Sequence, residues 1–470
     1  MLAIPMRPVC WRRRQKISRD AKIQASEQRV FTLHLMPKTF ASSAFQIISQ
    51  LAARPPVHRA FQWFHLYESK LREWHFCVAA IPAPPFGEAA RAHWVAKQFS
   101  ALGLDDVHID ACGNAVGWLR GLVEPASANS TQRRDDDTPA YQPCTLISAH
   151  LDTVFPADAI GQPVQEDSIL LTPGASDNCA GITALLALAA AMRYAKVEPA
   201  TDILFAGNVG EEGEGNLRGM RYLFTDSPFA SRIRSAIVLD GAGTETIVAQ
   251  GLGSKRFSIT ITGPGGHSWA DANVPNPILV LSNALAALGR MELPQSPKTT
   301  WNVGHIEGGT SINAVPQRAQ ARIDTRSTDA ALLVQLERQI YATVEQAVRE
   351  SNLAFADPTR ANYSPEGGSH PLHFQMETIG ERPAAKLEDD AAILQALRAV
   401  DRHLGIQSQL RIASTDANIP LSLGIDAVSI GSGGSGGGVH TRQEWFDAVG
   451  RDLALRRILL LLLALANAEI

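Results

Sequence analysis

The sequence predicts an α/β protein of more than one domain, on three observations. The chain has 470 residues, 45% of them apolar and 19% charged, which is ordinary globular composition at about three times the usual domain length. Short apolar runs alternate with helical stretches, the pattern of a sheet flanked by helices. Several of those runs end in His, Asp or Glu, at the strand ends where open α/β sheets bind ligands.

Taken in order, residues 144–149 read as a buried strand running into His150 and Asp152. The loop 174–181 carries Asp177 and leads into a helix expected over 180–194. Residues 202–207 form the next strand, which runs into Glu211 and Glu212, followed by a helix at 218–224. The strand 235–239 ends at Asp240. The pattern then changes: 255–262 and 319–324 alternate as half-exposed strands, while 275–288 and 330–349 read as helices, which makes a small α+β unit. A helix at 391–403 precedes the strand 426–430, the glycine run 431–438 and His440. Thr441-x-x-Glu444 matches a capping box, so a helix is expected to start there. The apolar run 458–466 is about half of the roughly 20 residues needed to cross a bilayer and reads as a buried terminal helix.

Composition also excludes. A net charge of -4 supplies no positive field for nucleic acid. The glycine run lacks the Lys-Ser/Thr ending of a phosphate loop, and neither feature points to a membrane partner. Five scattered cysteines with no C-x-x-C pair argue against a disulfide framework or a zinc ribbon, which favours a reducing, cytoplasmic location. Residues 1–36, with Arg12, Arg13 and Arg14, read as a disordered tail or as a reading frame extended beyond a true start at Met36. A cleavable signal ending near Ala44 is the weaker alternative. The stretch 126–143, with three consecutive Asp residues, reads as a solvated loop between two strands.

The chemistry lies in what converges. His150, Asp177, Glu211, Glu212, Asp240 and His440 combine two imidazoles with several carboxylates, a ligand set for Zn²⁺, or for Mn²⁺ or Co²⁺ in the same geometry. A two-metal site needs one shared carboxylate, terminal ligands for each ion, a water to attack and one unliganded acid to move the proton. A competing mechanism would use Cys179 as a nucleophile at a helix N-terminus, but no His or Asn spacing singles it out.

Five motifs in order resemble those of a family: His150-Leu-Asp152-Thr-Val-Phe-Pro156, Gly174-Ala-Ser-Asp177-Asn-x-Ala-Gly181, Gly210-Glu211-Glu212-Gly213, Gly265-Gly266-His267-Ser268, and Gly-Gly-Gly-Val-His440. The family is that of the co-catalytic zinc metallopeptidases and deacylases, which includes peptidase T, glutamate carboxypeptidase, aminoacylase and succinyl-diaminopimelate desuccinylase. The chain looks most similar to its peptidase T-like members. The resemblance covers most of the chain from about residue 70 and implies two Zn²⁺ per subunit. Asp177 would bridge them, His150 and Asp240 would complete one site, and Glu212 and His440 the other. Glu211 would be the general base acting on a bridging water, and Asp152 would orient the His150 imidazole.

The same resemblance implies a zinc-exopeptidase-like catalytic domain, with a mixed, largely parallel sheet, at 37–253 and 383–470. Inserted at 254–382 would be a two-layer α+β lid, through which two subunits pair as a homodimer. His267 would be the lid histidine that stabilises the oxyanion, while Arg326 and Asn313, with Thr415 and Asp416, would contact substrate. For Arg326 the residues equally allow a surface ion pair, for Asn313 a turn, and for Thr415 and Asp416 a helix cap. Glycines at 431–438 would bring His440 to the metal by a tight backbone path.

The leading expectation is therefore a metal-dependent exopeptidase for di- and tripeptides. Asp at 240 resembles the aminopeptidase and dipeptidase side of the family. An N-acyl amino acid amidohydrolase and a carboxypeptidase remain alternatives, and a non-catalytic scaffold is disfavoured by the full set of ligand residues.

Overall fold

The computed structural model describes residues 38–122, 142–357 and 371–467. The expected extension at 1–36 lies outside the described residues, as does nearly all of the loop 126–143.

A nine-stranded mixed sheet organises the first of two cores. At its centre, Asp202–Asn208, Cys144–His150, Ile233–Leu239 and Asp426–Ile430 run parallel, so their carboxyl ends emerge along one edge. Ala115–Leu119 flanks them antiparallel on one side, with Asp105–Ile109 antiparallel to it in turn, and Thr246–Gly251 flanks them antiparallel on the other. The central strands read as unbroken apolar runs because helices cover both faces. Helix Ala180–Ala195 lies against Cys144–His150 and beneath Pro55–Leu66 and Glu68–Ala79. Its many alanines permit burial on nearly every side. Among the described residues, the stretch Ala175–Ala195 is long and apolar enough to cross a membrane, and 94% of its apolar window is buried inside the protein. The terminal run expected to be a buried helix forms Arg451–Ala466, which packs on Ala392–Leu404.

The second core is separate. Strands Thr299–Gly308, Arg318–Ser327, Gly253–Thr262 and His373–Arg382 form an antiparallel sheet in that order. Helices Pro277–Leu288 and Ala330–Ala356 bury their apolar stripes on it, which gives a two-layer unit that the chain enters at Gly253 and leaves at Arg382. Asn276 and Asp329 cap the two helices, each accepting two backbone N–H groups.

One expected element is absent. No helix begins at Thr441; Glu444 is instead followed by a short strand, Trp445–Asp447, paired with Ser435–Gly437 and Ile169–Leu171. The capping pattern fails because the Glu444 carboxylate is engaged elsewhere, by the N–H groups of Gly174, Ser176 and Asp177. The next helix starts after Gly450, which turns the chain at φ +81°.

Candidate metal centre

Six of the residues singled out by sequence converge at the carboxyl ends of the parallel strands. His150 closes its strand and Asp240 follows Ile233–Leu239, while Asp177 arrives on the loop before helix Ala180–Ala195. Glu211 and Glu212 follow Asp202–Asn208, and His440 ends the glycine run, itself at φ +63°. The glycines allow close approach: a Cβ on Gly436 would stand 2.4 Å from Ser176 Oγ.

Asp177 sits between two ligand sets. Its Oδ1 lies 3.0 Å from His150 Nε2, and its Oδ2 lies 3.3 Å from His440 Nε2. His150 Nε2 is also 3.9 Å from Asp240 Oδ1, and His440 Nε2 is 3.0 Å from Glu212 Oε1. Donor atoms in each trio, His150/Asp177/Asp240 and Asp177/Glu212/His440, lie within 4.8 Å of one another. Tetrahedral zinc with bonds of about 2.0–2.2 Å needs donors about 3.3–3.6 Å apart, so both trios fit a metal ion with small adjustments.

The electrostatics agree with that fit. Burial opposes the Asp177 charge, but the His150 and His440 hydrogen bonds hold its carboxyl well below the usual range. Hydrogen bonds to Asp177 and Glu212 raise His440 to about 10. Burial pushes Asp240 up to about 7, and the neighbouring Asp177 charge adds to it. Burial likewise lifts Glu211 well above the carboxylate range, opposed by the Arg382 guanidinium. Two imidazoles face these crowded carboxylates, a place where a bound cation would supply the compensating charge.

Asp152 stands beside His150, as expected, and meets more than the imidazole. His150 Nδ1 donates to the Asp152 carbonyl at 3.1 Å, while the carboxylate stands 3.7 Å from that nitrogen. The carboxylate oxygens accept the N–H groups of Glu211 at 2.9 Å and Glu212 at 2.7 Å. Asp152 thus orients the histidine through its backbone and sets the Glu211-Glu212 turn through its side chain. The two functions share one residue because His150 and Asn208 are paired neighbours in the sheet.

Other expected residues lie farther from the ligands or act structurally. Asp416 is fully buried, accepts Asn208 Nδ2 at 2.6 Å and is pushed up to about 6 by burial. The Thr415 hydroxyl accepts the Ala417 N–H just ahead of helix Asn418–Ser422, much as a cap would. Arg326 pairs with Asp324 at 2.7 Å, the surface ion pair that the sequence also allowed. His267 and Asn313 meet on the lid, where Ser268 N donates to Asn313 O, and both are exposed. His267 Nδ1 accepts the N–H of Trp269 at 3.1 Å, which leaves the ring proton of a neutral imidazole on Nε2. Cys179 is completely buried, and burial pushes its thiol up, against a thiolate nucleophile.

Sequence reading missed Arg382, the last residue of the lid sheet. Its Nη1 donates to Glu211 Oε1 at 2.8 Å and its Nη2 to the Glu211 carbonyl. Arg256, on the adjacent strand, donates to Gly213 O at 2.8 Å. The base of the lid therefore grips the segment that carries both glutamates. Nothing local in the sequence marks these arginines, because the contacts join positions 171 and 43 residues apart.

The fold and the two ligand trios define a metal-dependent hydrolase of the peptidase and amidohydrolase class. A sequence model of a peptidase dimerisation domain matches residues 252–352, and one of peptidase family M28 matches residues 133–256. The chain is 24% identical over 387 residues to the uncharacterised protein YqjE of Bacillus subtilis, covering 80% of this chain and 93% of that one. It is 26% identical over 295 residues to a probable carboxypeptidase of Uncinocarpus reesii, 58% of this chain and 63% of the other. A tripeptidase from Staphylococcus aureus shares the fold, with a TM-score of 0.65 at 21% identity over 85% of this chain and 99% of that chain. The aminopeptidase PepT of Bacillus cereus shares the fold as well, with a TM-score of 0.64 at 18% identity over 85% of this chain and 98% of that chain.

Proposed function

We propose that this protein is a di-zinc exopeptidase that removes residues from di- and tripeptides. The observation that carries the reading is Asp177, whose two oxygens each face a separate histidine and carboxylate set. His150, Asp240 and Asp177 would hold one ion, and Glu212, His440 and Asp177 the other, with Mn²⁺ or Co²⁺ able to take the same donors. Bound ions would supply Lewis-acid polarisation of the scissile carbonyl and a water that ionises near neutral pH.

The chain's own residues do the rest. Glu211 takes a proton from the attacking water and returns it to the leaving amine. Arg382 fixes one oxygen of that carboxylate, so the other is free to face the reaction. Asp152 holds the turn that lets Glu211 and its neighbour Glu212 serve different roles. His267 offers an Nε2 proton to the oxyanion. Asn313 lies beside it to contact substrate. The lid pairs two copies of the chain, consistent with its match to a dimerisation domain and with its outer strand Thr299–Gly308, which is mostly exposed. The described cysteines, Cys77, Cys112, Cys144 and Cys179, are all free thiols, in keeping with a cytoplasmic enzyme.

A second reading, carboxypeptidase action, has support from the probable carboxypeptidase relative. N-acyl amino acid hydrolysis uses the same water attack. The test is metal content measured together with turnover on di- and tripeptides, on peptides blocked at either end, and on N-acetyl and N-succinyl amino acids. About two ions per chain, with cleavage that requires a free peptide amino terminus, is expected. Cleavage of amino-blocked peptides from the carboxyl end would replace the proposal with the carboxypeptidase reading, and turnover of acyl amino acids alone would make the protein a deacylase.

A further inference from the structure

Glu444 lies four residues beyond His440 and is 1% exposed, yet it belongs to neither ligand set. Its Oε2 accepts Gly174 N at 2.7 Å, and its Oε1 accepts Ser176 N at 2.9 Å and Asp177 N at 2.8 Å. Its own carbonyl accepts Thr172 N at 3.1 Å. The loop backbone has a further outside partner: the His75 Nε2 proton goes to Ala175 O at 2.7 Å, with the His75 ring packed on Phe446. These N–H groups precede helix Ala180–Ala195 and belong to none of its turns, so a single distant carboxylate satisfies them.

We propose that Glu444 is a positioning residue of the metal centre. It sets Asp177 in place before metal arrives and fixes the spacing between Asp177 and His440, and it touches neither metal nor substrate. The proposal rests on the reading of Asp177 as the shared ligand. The physical case is that Asp177 and His440 come from segments more than 260 residues apart and both must be held to a fraction of an ångström. One side chain clasps the first segment while its backbone is four residues from the second. Without that carboxylate, three buried N–H groups lose their acceptor, which the loop can relieve only by moving, and Asp177 moves with it.

The test compares metal-free wild type, Glu444→Gln and Glu444→Asp in two measurements: amide hydrogen exchange of residues 174–177, and calorimetric titration with Zn²⁺. Gln places an amide nitrogen against backbone N–H groups, so faster exchange at 174–177 and an affinity lower by about 10–100-fold are expected. Asp keeps the charge on a shorter arm and should fall between Gln and wild type on both readouts. Gln443→Ala, an exposed neighbour, is the control and should match wild type. A folded Glu444→Gln protein with wild-type exchange and wild-type affinity overturns the proposal. Should that variant fail to fold, Glu444→Asp decides on the same two readouts. A wild type that takes up no metal instead overturns the metal-centre reading itself, a separate result.

Discussion

The two parts of the candidate site are built in opposite ways. At the strand ends, the ligand residues are tied to one another and to the walls: Asp152 holds the glutamates, Glu444 holds the Asp177 loop, and Arg382 holds Glu211. On the lid, His267 and Asn313 stand on an exposed turn whose hydrogen bonds stay within the lid, beside Trp269 at 88% and Ile312 at 102% relative exposure. The first region needs no partner to be ordered for chemistry. The second has the His267 ring oriented but its surroundings open, so any part it takes in the proposed reaction depends on what closes over it. On the proposed function, catalytic groups would be divided between a rigid floor and an open surface.

Substitutions sharpen that contrast. The largest expected effect is at Glu211. Glu211→Gln should lower kcat by about 10²–10⁴ while leaving metal content unchanged; full activity would remove Glu211 from the role of base.

Next is the pH stability of the floor. Burial, with the nearby Arg451 charge, lowers His75 to about 3. Its folded pKa therefore lies below the ordinary 6.5, and the unfolded chain binds the proton more readily. The stabilisation is complete above pH about 6.5 and is lost as pH falls toward 3, by at most about 5 kcal/mol. His75→Phe should flatten the fall of Tm across that window, and a parallel curve for wild type and variant would show that His75 does not set it.

A smaller effect is expected on the lid. His267→Ala should lower kcat by about 10²–10³ with Zn²⁺ affinity and Tm unaltered. A change in metal affinity would contradict the separation of the two regions. The smallest effect belongs to Arg326→Ala. As an exposed partner of Asp324, it should cost about 0–1 kcal/mol of stability and leave KM nearly unchanged. A large rise in KM confined to substrates with a free carboxylate would restore Arg326 as a substrate grip.

Much of this was legible in the order of residues. Apolar runs ending in His150, Glu211, Asp240 and His440 announced a parallel sheet with candidate ligands at one edge, because periodicity and strand-end chemistry are local properties. The change of pattern at 255 and the return of an α/β pattern after 382 marked an inserted unit for the same reason. What the chain order could not carry were the long-range hydrogen bonds. Thr441-x-x-Glu444 has the local form of a helix start, and only the packed fold shows its carboxylate serving a loop some 270 residues away. Asp152 was legible as a carboxylate near His150, but which of its atoms meets the imidazole was decided by the turn of the neighbouring strand. Arg382 gave no signal at all, since its partner is set by where the lid rejoins the sheet. By itself the sequence determined the sheet, the inserted unit and the residues that meet at the strand ends. The tertiary structure alone decided how each ligand is held, because a buried polar group takes whichever partner the fold brings within about 3 Å, however far apart the two lie along the chain.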